Sequence, residues 1–225
     1  MARKTEEQDK PDTPPPADDA AGGESPAAGA PPADGKPARA SRRARVAAPA
    51  PAADDAVAEK LERAGTLAES GAHADAAEAY AAVVALRPDS VDALVGLGAT
   101  LAAQGKYEAA EKELRRAEKL APEDPGVGLQ LGSTLVKRGN WAAAATTLRR
   151  VVELDPDLGA AYVLLGEALN QMAESDAAIE VLETAVRIQP ESSKAYYAMG
   201  IAYDRKGNPD RAAEMYRLSR EVASR

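Results

Sequence analysis

Between residues 57 and 225, apolar and small side chains recur at the spacing of one helical face, and the whole pattern returns every 34 residues. Pro88, Pro122, Pro156 and Pro190 mark the period. Numbering each unit from 1 to 34, with starts at Val57, Val91, Pro125, Gly159 and Ser193, turns the sequence into columns. Column 8 reads Ala64, Gly98, Gly132, Gly166, Gly200, and column 20 reads Ala76, Ala110, Ala144, Ala178, Ala212. Small residues let two helix axes approach closely. Column 11 is Leu67, Leu101, Leu135, Leu169, Tyr203; column 24 is Tyr80, Leu114, Leu148, Leu182, Tyr216; column 30 is Leu86, Leu120, Leu154, Ile188, Val222. These three are expected to be the large side chains that fill the space between helices.

The punctuation predicts two helices per unit. Columns 4, 7, 8 and 11 share one helical face, and columns 20, 24 and 27 share another. Column 15 is Gly71, Gly105, Gly139, Ala173 and Gly207, which suits a turn needing positive φ between helices. The proline at column 32 ends the second helix of repeats one to four. Asp124-Pro125 and Asn208-Pro209 read as an N-cap followed by proline at the first helical position.

Read together, Leu94-x-x-Leu97-Gly98-x-x-Leu101 followed by Ala110, Leu114, Ala117 and Pro122 resembles the tetratricopeptide repeat. The resemblance covers residues 57–225 as five repeats: 57–90, 91–124, 125–158, 159–192 and 193–225. It implies an all-α fold, a right-handed solenoid of helix-turn-helix pairs in which the first helix of each pair lines a concave groove. Three departures stand out. Gly128 occupies column 4 of repeat three, where a large residue is usual. Lys60 and Arg63 occupy columns 4 and 7 of repeat one, as expected of a terminal repeat with one face in water. Ala173 replaces the turn glycine of repeat four, so either it is forced to positive φ or the turn differs. At the other end Arg211, Glu214, Arg217, Glu221 and Arg225 are expected to form a polar face behind Met215, Leu218 and Val222.

Residues 1–56 follow different physics. They hold ten of the sixteen prolines, one Val and no Leu, Ile or aromatic residue. Ordering the backbone costs roughly 1–2 kcal/mol per residue, and with so little to bury this tail is expected to be disordered. Five of its eight basic residues cluster at 36–45, as Lys36, Arg39, Arg42, Arg43 and Arg45. That cluster reads as a soluble linker, as a weak electrostatic contact with nucleic acid or another acidic surface, or as a segment that gates the repeats. Asp54-Asp55 reads as a helix-start signal.

Net charge is −8, which disfavours nucleic-acid binding by the whole molecule. There is no cysteine and one histidine, His73, so most nucleophile–base pairs and transition-metal sites are excluded. His73 and the single Trp, Trp141, share column 17, and both are expected to be structural residues at the start of a second helix. No apolar run of membrane-spanning length occurs. Met1 to Lys10 is charged, so no signal peptide is expected and a cytoplasmic location is the default. The expectation is a non-enzymatic scaffold, a monomer or weak homo-oligomer, without cofactor or metal, that binds a protein or peptide segment. The rival reading is a regulatory or localising subunit whose basic tail contacts nucleic acid or an acidic surface while the repeats recruit a protein.

In the family, columns 2, 5, 9, 12 and 13 face the groove. The resemblance therefore implies a groove lined by Val95, Leu129, Ser133, Val163, Glu167, Asn170, Gln171, Lys194, Tyr197, Asp204 and Arg205, apolar in repeats two and three and polar in four and five. Asn170 and Gln171 offer amides that both donate and accept, and Tyr197 a rigid apolar surface with a polar tip. The alternative is a solvated helix face without a ligand. Column 5 contains no lysine (Leu61, Val95, Leu129, Val163, Tyr197). The family's clamp for a C-terminal carboxylate is therefore not expected.

Overall fold

A computed structural model describes residues 51–225, with side chains from Asp55 onward. The basic cluster and the expected disorder of residues 1–50 lie outside the described residues; residues 51–56, also expected to be disordered, are helical. Within them the chain forms ten α-helices and no strand: α1 (Pro51–Glu69), α2 (His73–Leu86), α3 (Val91–Ala103), α4 (Tyr107–Leu120), α5 (Pro125–Arg138), α6 (Trp141–Leu154), α7 (Gly159–Gln171), α8 (Ser175–Ile188), α9 (Ser193–Arg205) and α10 (Pro209–Ala223). The first helix begins six residues before the repeat boundary, so Asp54 and Asp55 lie inside it rather than ahead of it. Proline is tolerated in a first helical turn, and alanines at 52, 53 and 56 favour helix.

Each helix packs on the next in sequence. The backbones of the first helices of successive pairs, α1, α3, α5, α7 and α9, also approach one another closely, whereas among the described residues no second helix's backbone comes as near to another second helix. Helices in contact on one side and splayed on the other make a curved stack, with the first helices on the concave side. This is a right-handed α-solenoid in which each repeat is held mainly by its neighbours.

The packing follows the columns. A Cβ at Gly98, Gly132 or Gly166 would lie 2.5, 2.6 and 2.4 Å from the side chains of Leu114, Leu148 and Leu182 respectively. Each leucine is fully buried and occupies the space a column-8 side chain would need. In repeat five Tyr216 covers Gly200 in the same way. Repeat one has Ala64 in that column, and its Tyr80 lies instead across Gly96 of the next repeat.

Gly128 is explained by its partner. A Cβ there would meet Val151 at 2.5 Å. Across repeats two, three and four, column 4 is Leu94, Gly128, Tyr162, and column 27 is Ala117, Val151, Ala185. Large meets small each time, and the size order is inverted in repeat three.

Column 30 does not fill the core. Leu86, Leu120 and Leu154 are 58%, 47% and 40% exposed, which corrects the expectation. At 3.6 residues per turn, column 30 points roughly 90° away from the stripe made by columns 20, 24 and 27, and so lies at the edge of the packed face.

All five intra-repeat turns are alike. The column-16 N–H donates to the column-11 carbonyl in each: Ala72 to Leu67, Lys106 to Leu101, Asn140 to Leu135, Glu174 to Leu169 and Asn208 to Tyr203. This six-to-one bond closes a left-handed helix end. Column 15 has φ of +79°, +76°, +81° and +75° at the four glycines and +61° at Ala173. The alanine therefore adopts the same turn under strain. Ala173→Gly is expected to stabilise the fold by about 0.5–1 kcal/mol, the relief of left-handed strain less the entropy of a more flexible unfolded chain. A shift of the urea midpoint to higher concentration checks this.

The expected caps are present. The Asp124 carboxylate accepts from the N–H groups of Gly126 and Val127, and the Asn208 side-chain carbonyl accepts from Arg211. At the C-terminal end Arg211 pairs with Glu214, and Arg217 with Glu221, on an exposed face of α10.

Candidate binding groove

The groove is built on the inward side of α3, α5, α7 and α9. Val95 on α3 and Leu129 on α5 are half-buried and packed against the core along one flank. One concavity of the groove lies over α7, between the end of α5 and the start of α9. It has a volume of about 480 Å³ and brings together Ser133, Val163, Glu167 and Lys194 from the expected set. Val163 is only 7% exposed and contributes to the floor. Gln171, Lys194, Asp204 and Arg205 are exposed. Val95, Leu129, Gln171, Tyr197, Asp204 and Arg205 lie outside this recess.

Asn170 is a correction. It is 2% exposed, and its Nδ2 donates to the Ala198 carbonyl at 2.8 Å. Its amide ties α7 to α9 and is not available to a bound chain. The column position placed it on the groove side, but the closeness of successive first helices buries it. Asp204 is also engaged: the Tyr216 hydroxyl donates to its Oδ2 at 2.7 Å. Burial, then this bond to the carboxylate, pushes the Tyr216 hydroxyl up to about 12. Tyr197 stands 57% exposed, its ring tilted against that of Tyr216 with centroids 5.6 Å apart.

Glu167 is a groove carboxylate partly withdrawn from water. Burial raises its carboxyl above the ordinary glutamate range, and Lys194 lowers it in partial compensation. Lys194 forms no ion pair with it and acts on it only at longer range.

The recess also holds residues outside the expected set. Lys137 and Ala160 occupy columns 13 and 2, where column position was enough to find them. Gln189 and Ser192 come from the α8–α9 connection, which no groove column represents. His73 starts α2 and Trp141 starts α6, both half-buried, as structural residues would be. Among the described residues no group of three His, Asp or Glu side chains could hold a metal ion, and no helix is long and apolar enough to cross a membrane.

Two tetratricopeptide-repeat models match the sequence, one over residues 67–130 and the other over 129–193 and 171–223. The chain belongs to the tetratricopeptide-repeat family. Among solved structures, this tetratricopeptide-repeat protein is similar to MamA, with 28% identity, a TM-score of 0.65, and coverage of 72% of this chain and 94% of that one. A MamA fragment from Desulfovibrio magneticus RS-1 aligns with 24% identity and a TM-score of 0.69 over 75% and 95% of the two chains. YrrB, described as a TPR protein with an unusual peptide-binding site, aligns with 23% identity and a TM-score of 0.64 over 76% and 93%. At such identities the last two likenesses concern the fold. No curated protein matches in sequence.

Proposed function

We propose that this tetratricopeptide-repeat protein is a non-catalytic scaffold that holds an extended or helical segment of a partner protein in the concave groove. The observation that carries the reading is the continuous inward surface of α3, α5, α7 and α9. It has apolar side chains at Val95 and Leu129, a recess over α7, and a largely exposed aromatic ring at Tyr197. An exposed tyrosine supplies contact area at low entropic cost. YrrB's peptide-binding site, on the same fold, is consistent with it.

The test separates binding from folding. Leu129→Asp and Tyr197→Ala, singly or together, are expected to abolish capture of the native partner from cell extract. Leu129 is only half-buried and Tyr197 is mostly exposed, so far-UV circular dichroism should change little. Capture that persists in the double variant contradicts the groove reading.

A further inference from the structure

Glu167 is placed where a carboxylate is costly. The same column holds Gly65, Ala99, Ser133 and Ile201 in the other repeats, so the array geometry asks for no charge there. The side chain is half-buried in the recess over α7. Among the described residues it makes no hydrogen bond and no ion pair, and Lys194 acts on it only at longer range. A carboxylate partly withdrawn from water without a donor is destabilising until a partner arrives. The recess beside it has apolar walls at Val136, Val163 and Leu164.

We propose that this recess takes a basic side chain of the segment bound in the groove, with Glu167 as its counter-ion. The inference rests on the groove reading and names the chemistry of what fills it. An arginine or lysine fits both halves of the site: its methylene stem covers Val136, Val163 and Leu164, and its charged head supplies the donors Glu167 lacks. The two lysines at the rim do not reverse this preference. Lys137 and Lys194 are exposed and therefore remain hydrated without a partner. The desolvated, unpaired group is the acid, and its raised protonation point has the same cause.

The full-length chain, labelled with ¹⁵N, is titrated with the Nα-acetyl methylamides of arginine, glutamine and glutamate. The arginine derivative is expected to shift the Val163 and Glu167 amides saturably, with affinity about fivefold above that of the glutamine derivative. Glu167→Gln should remove that margin, and Lys194→Met, which deletes the competing cation, should widen it. No saturable shift, equal binding of arginine and glutamine, or an arginine preference that survives Glu167→Gln overturns the proposal. Preference for the glutamate derivative, lost in Lys194→Met, overturns it in favour of an anion. None of these outcomes touches the groove reading, which stands or falls on capture by the Leu129 and Tyr197 variants.

Discussion

Leu148→Ala is expected to lower the free energy of unfolding by about 2–5 kcal/mol, the range for emptying a fully buried leucine site. Leu148 is 0% exposed and lies in the space left by the missing side chain of Gly132, its Cδ2 and Cγ at 2.6 and 2.7 Å from where a Cβ would sit. The same geometry fixes the behaviour of the glycine. In the wild-type background, Gly132→Ala gains about 1 kcal/mol of helix preference but forces a methyl into Leu148, an overpacking cost of about 1–3 kcal/mol. In the Leu148→Ala background that obstruction is gone, so Gly132→Ala should turn from destabilising to stabilising. Urea melts of the four proteins in a double-mutant cycle read the sign change directly. Leu120→Ala is the control: column 30 is 47% exposed there, and the cost should stay under about 1 kcal/mol.

Gly128→Leu, which installs the large residue usual at column 4, is expected to destabilise repeat three by about 1–3 kcal/mol or more. The reason is local: the new side chain would start 2.5 Å from Val151 Cγ2, and Val151 is 1% exposed, with no room to withdraw. Val151→Ala alone opens a cavity and should also destabilise. Combined with Gly128→Leu it recreates the Leu94 and Ala117 pairing of repeat two, and the double variant should recover most of the stability lost by either single change. Thermal melts followed by far-UV circular dichroism decide it. Two independent losses that simply add would show that the two side chains do not share a space.

What could be read from the sequence was whatever depends on period and on residue size at a fixed register. The glycines of column 8 and leucines of column 24 require each other, and the turn glycines with Ala173 require one backbone shape. Both appear in the columns because each repeat solves the same problem. The exposure of Leu86, Leu120 and Leu154 was not legible. Periodicity places a residue near a face, and column 30 is close enough to look inward while lying beyond the contact. The exchange of size between Gly128 and Val151 needs a contact between columns, so reading column 4 alone made Gly128 a mere departure.

The candidate groove was legible to the same extent. Column membership located Ser133, Val163, Glu167 and Lys194 around one recess. It failed for Asn170, because whether an amide faces the groove or the neighbouring helix depends on the distance between α7 and α9. Gln189 and Ser192 enter the recess from a connection whose path is set by the stacking of repeats, not by any repeating position.

Crosslinking from each side of the stack tests directly which one meets the partner. Full-length protein carrying a photo-crosslinking amino acid at Leu129, on the concave side, or at Thr146, exposed on α6, should be irradiated in native extract and its adducts resolved by mass. Adducts to a discrete partner from Leu129 and none from Thr146 are the predicted result. The same partner trapped from Thr146, with none from Leu129, would place binding on the convex face and contradict the account.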